Sequence, residues 1–244
     1  LFEEENINQQ YYQEYNTRLS RLRNTFEDVP VFVIGCGPSL RASDLDILSE
    51  HKCITFGVND IYYIFRQTKW RPDYYFASDR RQLIKYEEEP EFYNAVKPLK
   101  KIFSDNYIPV MQREKNDENT YFFRQIQDLV QMGFSTDCCS GVYCSNTVIF
   151  GALQFAVYMG AKNIYLLGCD NGIAPGKKLY FYEDKMLNEN IDTWEKIALE
   201  AYSDMEIGYR VAKRETEKIG VNIYNATRGG YLEVFERVNF DSLF

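Results

Sequence analysis

The stretch Val31-Phe32-Val33-Ile34-Gly35-Cys36-Gly37-Pro38-Ser39-Leu40 decides the fold. Its first residues are apolar and rich in β-branched side chains, which predicts a short buried strand over 31–35. The two glycines that follow let the backbone turn tightly and approach a ligand phosphate, and Ser39 can cap the next turn or helix. A buried strand that ends in such a turn is typical of a parallel α/β sheet with a ligand site along one edge.

Five more apolar runs also end in small or polar residues. They close at Gly57-Val58-Asn59-Asp60, Ala77-Ser78-Asp79, Phe103-Ser104-Asp105, Gly168-Cys169-Asp170 and Asn225-Ala226-Thr227. Helical patterns separate the runs, which predicts an α/β fold with a Rossmann-like, doubly wound and mostly parallel sheet. Because the carboxyl ends of parallel strands share one edge, we expect these tips to form a cradle for a phosphorylated nucleoside.

The chain is predicted to hold an N-terminal helix at 1–29 and a Rossmann-like nucleotide-binding domain at 30–244. Within 91–135 the pattern is irregular, and we interpret that segment as an insertion or a lid. The N-terminal segment carries one apolar helical stripe, which packs on the main body or on a second subunit. The stripe consists of Ile7, Tyr11, Tyr15, Leu19, Leu22 and Phe26.

Composition narrows the classes of partner. The net charge is −8 with scattered Lys and Arg, so no nucleic-acid partner is expected. No apolar run reaches about 18 residues, so no transmembrane segment is expected, while peripheral membrane contact and a homo-oligomer stay open. The six cysteines lack the paired spacing of zinc knuckles, which indicates free thiols and a cytoplasmic location.

The apolar stretch 141–160 predicts a central helix that begins at Ser140-Gly141. Unpaired amides and the helix dipole attract an anion at such a start. Leu40 stands where a dinucleotide fingerprint requires a third glycine, so an NAD enzyme is disfavoured. The residues predicted to bind the nucleotide are Gly35, Cys36, Gly37, Pro38, Ser39, Asn59, Ser78, Ser140 and Gly141.

Carboxylates and phenols are the predicted catalytic groups. His51 is the only histidine, and it falls on the side away from the strand tips. If a general base is needed, it is therefore a carboxylate such as Asp79 or Asp170, although Asp79 also fits a helix cap. Tyr180 and Tyr182 follow a loop rich in Gly, Pro and Lys, where their phenols can hydrogen-bond a departing phosphate.

Several separated motifs resemble the bacterial MptE-like family, whose domain is 6-hydroxymethylpterin pyrophosphokinase-like. They are Val33–Leu40, Phe56–Asn59, Trp70–Tyr75, Ile164–Asp170 and Asn225–Gly230. The same motifs are similar to the family 42 bacterial sialyltransferases, whose Ser-Gly-Val-Tyr helix start is matched by Ser140–Tyr143. That resemblance implies loops that hold CMP-sialic acid and tyrosines, here Tyr180 and Tyr182, that contact its phosphate. The chain departs from the pattern at Cys36, which replaces an asparagine, and in having no histidine after Asp170.

The leading hypothesis is a glycosyltransferase that uses a nucleotide sugar, CMP-linked and sialyltransferase-like, with a glycan acceptor in bacterial surface-polysaccharide biosynthesis. It requires no cofactor, although Mg²⁺ stays an option. The first alternative is a magnesium-dependent pyrophosphokinase of the pterin type, in which Asp79 and Asp170 would hold the metal. The second alternative is a nucleotide-binding protein that kept the fold and lost its chemistry.

Overall fold

The computed structural model describes residues 13–26, 28–126, 132–172, 178–183 and 191–244, without the side chains of 191–200. Within these ranges the strands are β1 (Val31–Ile34), β2 (Ile54–Val58), β3 (Tyr74–Ala77), β4 (Lys100–Ser104), β5 (Thr120–Phe123), β6 (Gln125–Ile126), β7 (Val142–Tyr143), β8 (Asn163–Leu167), β9 (Asn222–Asn225) and β10 (Glu236–Arg237). The α-helices are α1 (13–20), α2 (Ala42–Glu50), α3 (Arg80–Glu88), α4 (Pro90–Val96), α5 (Ile108–Glu114), α6 (Val148–Tyr158) and α7 (Ile191–Lys218). Short 3-10 helices cover Asn59–Arg66 and Phe240–Ser242.

One parallel sheet organises the described part of the chain. Its order is β10-β9-β8-β1-β2-β3-β4-β5, while β6 and β7 form a separate parallel pair. The strand order runs outward from β1 through β2 to β5 on one side and through β8 to β10 on the other. The topological switch point therefore lies between β1 and β8, where ligands of open α/β sheets bind. The predicted α/β, Rossmann-like and mostly parallel fold is confirmed.

The central strand β1 is covered on both faces. Val31 and Val33 pack in the core cluster that includes α6, whereas Phe32 and Ile34 pack in the cluster that includes α2. All four residues are buried, as a strand between two helical layers requires. Strand β1 pairs in parallel with β2 and with β8, so the carboxyl ends of these three strands meet at one edge of the sheet.

The described part of the N-terminal stripe packs on the main body. Tyr15, Leu19 and Leu22 are buried, and Phe26 is partly buried against the core. The guanidinium of Arg18 donates to the carbonyl oxygens of Lys115 and Asp117 at 2.8 and 3.0 Å, which docks α1 near the start of β5. The predicted stripe residues Ile7 and Tyr11 lie outside the described residues.

The prediction of an insertion or lid at 91–135 is wrong for the described residues of that segment. They supply β4 and β5, which extend the main sheet in parallel register. The sequence indicated possible strands at 101–103 and 120–123, but the polar loops around them suggested an insertion rather than part of the main sheet. The Lys101 side chain is nevertheless fully buried, with its ammonium group hydrogen-bonded within the protein.

The central helix begins later than predicted. Residues 142–143 form β7, and α6 starts at Val148 with Thr147 as its cap, whose hydroxyl accepts from the amide of Ile149 at 3.3 Å. The helix begins only after that cap, because residues 142–143 are extended and pair with β6. None of the helices in the described ranges is long and apolar enough to cross a membrane.

Candidate functional site at the carboxyl edge of the sheet

The glycine turn after β1 packs directly on the end of β8. The amide of Gly35 donates to the carbonyl oxygen of Leu167, and that of Gly37 to the carbonyl oxygen of Gly168, both at 2.8 Å. A Cβ atom at Gly37 would lie 1.9 Å from the carboxylate Oδ2 of Asp170. The two glycines thus allow two strand ends to pack closely. Their amides are bonded within the protein, so nucleotide binding at Gly35 and Gly37 stays a prediction that these two amides do not support.

The structure brings Asp170 and Ser39 together at the switch point. The Ser39 hydroxyl donates to Oδ2 of Asp170 at 2.8 Å, so Ser39 does not cap a helix as predicted. The following helix α2 begins only after Arg41, which makes no side-chain cap. Burial raises the pKa of the Asp170 carboxyl, although the hydrogen bond from Ser39 lowers it in part. Pro38 between these contacts is exposed.

Cys36 ties the glycine turn to two neighbouring segments. Its thiol donates to the carbonyl oxygen of Val58 at 3.2 Å, and its carbonyl oxygen accepts from the amide of Phe181 at 3.1 Å. Burial raises the pKa of the Cys36 thiol well above its ordinary value, and the nearby charge of Asp60 adds to the rise. The thiol therefore stays neutral and acts as a packing and hydrogen-bonding group.

Four side chains from three parts of the chain form what we call the tip cluster: Asp60, Gln82, Lys85 and Tyr182. Asp60 is buried directly after β2. Its Oδ2 accepts from Nε2 of Gln82 at 2.9 Å and from the Tyr182 hydroxyl at 3.0 Å, while its Oδ1 accepts from the Lys85 ammonium group. Burial lowers the pKa of Lys85, but the hydrogen bond and charge of Asp60 outweigh it, so the pKa is raised. The cluster is a buried ion pair with two further donors.

Of the two predicted tyrosines, Tyr182 belongs to this cluster and Tyr180 lies against it. The rings of Tyr180 and Tyr182 stack almost parallel with centroids 5.1 Å apart. Burial is the main cause that raises the pKa of the Tyr182 phenol far above its ordinary value, and the negative charge of nearby Asp60 adds to the rise. Tyr182 is thus a hydrogen-bond donor at neutral pH, and in this structure it donates to Asp60 rather than facing a separate acceptor.

Asn59 and Ser78 occupy the tips of β2 and β3 as predicted. Asn59 has a left-handed backbone with φ +48°, and its amide Oδ1 is buried with no hydrogen-bond partner among the described residues. The carbonyl oxygen of Ser78 accepts from the Ser104 hydroxyl at 2.9 Å and from the Asn106 amide at 2.8 Å. The unpartnered Asn59 oxygen is a polar group that a ligand donor can satisfy.

Asp79 acts mainly as a helix cap. Its carboxylate accepts from the backbone amide of Arg81 at 2.9 Å and pairs with the Arg81 guanidinium at 2.6 Å. The Arg81 side chain is largely exposed, so this ion pair is solvated. These contacts fit the capping interpretation that the sequence left open, and they engage the carboxylate that was also a candidate base.

Ser140 and Gly141 do not stand at a helix start, which corrects that prediction. The exposed Ser140 hydroxyl donates to Asp137 at 2.9 Å, and its carbonyl oxygen accepts from Arg124 at 2.7 Å. Gly141 is buried with φ +124°, and a Cβ there would lie 2.8 Å from Ile126. Both residues therefore shape the turn into β7. The helix start that was predicted at these two residues lies at Val148, the first residue of α6.

The spacing of the strand tips decides which carboxylates can share a metal. Asp170 follows β8 and Asp79 follows β3, three strand positions apart in the sheet. At about 4.8 Å for each neighbouring pair, the two strands lie about 14 Å apart. Magnesium binds its oxygen ligands at about 2.1 Å, so this pair does not fit one ion. The described residues contain no group of three or more His, Cys, Asp or Glu side chains that could hold a metal.

Sequence reasoning named the β2 tip that contains Asp60 but did not select Asp60, Gln82 or Lys85. The available signal was an acidic residue directly after a buried strand, together with a lysine one helical turn inside the next helix. Tyr202 was also missed. Burial raises the pKa of its phenol, and electrostatic interaction with Tyr180 and Asp170 adds to the rise.

The family model described as 6-hydroxymethylpterin diphosphokinase MptE-like matches residues 5–176. This is more than half of the chain, and the protein belongs to the MptE-like family. A comparison with curated proteins finds no match.

A solved glycosyltransferase structure shows the same fold. A MAf glycosyltransferase from Magnetospirillum magneticum AMB-1 superposes with a TM-score of 0.52 at 17% identity, covering 96% of this chain and 39% of that chain. This chain thus spans well under half of that glycosyltransferase. A thiamine pyrophosphokinase from Bacillus subtilis is a more distant match, with a TM-score of 0.36 at 14% identity over 80% of this chain and 59% of that one.

Proposed function

We propose that this protein is a glycosyltransferase that binds a nucleotide sugar at the carboxyl edge of its sheet. The observation that carries the proposal is the tip cluster beside Cys36, next to the switch point between β1 and β8. Doubly wound sheets bind nucleotides at this place, on the side of the first strands. The shared fold of the MAf glycosyltransferase supports the reaction class. The sialyltransferase-like motifs support a CMP-linked donor and a glycan acceptor in bacterial surface-polysaccharide assembly.

In this proposal Asp170 rather than Asp79 is the general base. Asp170 is buried at the switch point, and a raised pKa brings a carboxylate closer to the range in which base catalysis is efficient. The Asp79 carboxylate already accepts from the backbone amide of Arg81 and pairs with the Arg81 guanidinium. Tyr180 donates to the departing phosphate, and Tyr182 positions Asp60. Asn59 and Ser78 contact the nucleoside, and no metal is required, because hydrogen-bond donors such as the Tyr180 phenol meet the charge of a leaving CMP.

A pyrophosphokinase is the second candidate, and the family to which the chain belongs is the observation that favours it. Such an enzyme transfers the terminal diphosphoryl group of ATP to a hydroxyl group and releases AMP, and magnesium would neutralise part of the phosphate charge. Asp79 and Asp170 are too far apart to hold that ion together. The candidate therefore needs a different set of ligands from the pair named by the sequence.

Thermal unfolding with a ligand panel tests the proposal. The panel is CMP, CDP, UDP, ATP and pterin, each with and without magnesium, since a ligand that binds only the folded state raises the unfolding temperature. We expect CMP to stabilise the protein without metal. Stabilisation by ATP only in the presence of magnesium would support the pyrophosphokinase instead. The absence of any shift would indicate a protein that has lost nucleotide binding, and both proposals would fail.

A further inference from the structure

The loop after β9 presents one aromatic ring to solvent at the switch point. The side chain of Tyr231 is 55% exposed, although its backbone is firmly held. Its amide donates to the carbonyl oxygen of Asp170 at 2.6 Å. The Arg237 guanidinium donates to the carbonyl oxygens of Gly229 and Gly230 at 2.8 and 3.1 Å. A loop fixed at this many points holds an exposed ring at low cost in conformational entropy.

Two glycines give the ring its seat. A Cβ atom at Gly172 would lie 2.3 Å from Cδ2 of Tyr231, so the ring rests directly on the backbone at that position. Gly230 has φ +70°, and a Cβ there would lie 2.6 Å from the backbone of Asp170. Larger residues at either position would displace the ring or the loop. The conformation of the loop is therefore coupled to the residue that we propose as the base.

The ring lies in the half of the edge that the nucleotide does not need. Tyr231 follows β9, beyond β8, whereas Asn59 and Ser78 follow β2 and β3 on the other side of the switch point. Next to Gly172, the Asn171 amide Oδ1 is buried with no hydrogen-bond partner among the described residues. An exposed ring seated on Gly172, with an unsatisfied polar atom on the residue that precedes this glycine, suits a ligand that has an apolar face and hydroxyl groups at its edge.

We infer that Tyr231 is the platform on which the sugar ring of the acceptor stacks. The apolar C–H face of a pyranose covers the phenol ring, and Asn171 hydrogen-bonds one of its hydroxyls. The inference rests on the proposed function, in which the donor occupies the β1–β3 half and the acceptor needs the other. A protein partner would need a larger apolar surface, but the other large exposed apolar residues among those described lie in α5, in α7 or directly after it, and at the C-terminus.

Saturation-transfer NMR on the whole chain tests this inference without requiring catalysis. The probes are the methyl glycosides of galactose, glucose and N-acetylglucosamine, each mixed with CMP. For wild type and Tyr231→Phe we expect saturation of the ring C–H protons of at least one glycoside. In Tyr231→Ala the affinity for that glycoside should fall about tenfold, since the stacking face is lost. The CMP signals should not change.

Two further variants separate the platform from a general effect on folding. Gly172→Ala should weaken sugar binding as Tyr231→Ala does, because it removes the seat of the ring. Ile219→Ala, an exposed apolar residue at the opposite edge of the sheet, should leave sugar binding unchanged. If wild type binds none of the glycosides, if Tyr231→Ala binds them equally well, or if it loses CMP instead, the inference is overturned. A missing CMP signal in wild type contradicts the proposed function alone, and the glycoside signals still decide the platform.

Discussion

Two buried lysine–aspartate pairs lie at opposite edges of the sheet, and they differ in how completely their surroundings satisfy them. At the amino edge, the fully buried Lys101 ammonium donates to Asp117 at 2.8 Å and to the carbonyl oxygens of Lys97 and Leu99 at 2.9 and 3.1 Å. An ammonium group has three donors, so nothing in this pair is left for a ligand.

At the carboxyl edge, the pair of Lys85 and Asp60 stands among unsatisfied groups. The Oδ1 of Asn59 and the Oε1 of Gln82 are both buried, and neither has a hydrogen-bond partner among the described residues. Leaving such atoms unpaired costs free energy, which a ligand donor or an ordered water can recover. The comparison teaches that a saturated buried network stabilises the fold, whereas a part-satisfied one at the strand tips is available for binding.

Breaking the Lys101–Asp117 pair, in which every ammonium donor is used, should have the largest effect on stability. Lys101→Met keeps the length and packing of the stem but leaves Asp117 and two carbonyl oxygens without their donor. We expect the free energy of unfolding to fall by about 3 kcal/mol, measured by urea denaturation. Nucleotide-induced stabilisation of the folded protein should remain.

The solvated pair of Arg66 and Glu91, whose side chains are 75% and 59% exposed, supplies the control. Arg66→Ala should change the free energy of unfolding by less than about 0.5 kcal/mol. Equal stability of Lys101→Met and Arg66→Ala would contradict the structural role of the buried pair.

Breaking the Lys85–Asp60 pair, which lies among unsatisfied polar groups, should affect ligand binding more than stability. In Asp60→Asn the amide can still accept from Lys85 but carries no charge, so we expect a loss of about 1–2 kcal/mol in the free energy of unfolding. Stabilisation by CMP should disappear in thermal unfolding, since the tip cluster no longer holds its arrangement. Tyr182→Phe removes one donor from the same carboxylate and should weaken the CMP shift without abolishing it. Undiminished CMP stabilisation in Asp60→Asn would separate the cluster from the nucleotide site.

Lowering the pH should reduce stability through the Lys101–Asp117 pair, by less than the substitutions above. Burial raises the pKa of Asp117, but the hydrogen bonds from Lys101 and the Asn119 amide outweigh it, so the pKa lies below its ordinary value of 3.8. The unfolded chain then binds more protons, and this contribution to stability is present above pH 3.8 and lost as the pH falls through the folded pKa. Between about pH 5 and about pH 3, urea denaturation should show a steeper loss for wild type than for Asp117→Asn. Asp170 and Glu114, whose pKa values are raised, act in the opposite direction but are present in both proteins. Parallel pH profiles would refute the assignment.

Local patterns were enough to predict much of the sheet. β1, β3 and β8 are short apolar runs, and their polar tips face the same edge because parallel strands always place their carboxyl ends together. β4 was recognised only as a candidate strand and assigned to an insertion. A buried lysine contradicts the usual hydrophobic pattern, and its partner Asp117 is identified only when the chain is folded.

The candidate site was predicted less completely. Asp170 and Ser39 do meet at the switch point, but the Cys36 thiol bonds to the end of β2, the glycines serve strand packing, and Ser140 lies in a separate turn. The missed contributions come from residues whose roles depend on distant partners. Tyr182 reaches Asp60 across 122 positions of sequence, a separation over which no local pattern carries information.

The amino-acid sequence by itself determined the alternation of strands and helices, the parallel sheet and the edge at which polar groups collect, because these follow from hydrophobic periodicity and strand direction. Only the tertiary structure decided which of those groups are consumed by the fold and which are left for a ligand. Hydrogen bonds between remote segments make that division: they use up the amides of Gly35 and Gly37, yet within the described part of the chain they leave Asn59 and Asn171 each with an unsatisfied oxygen.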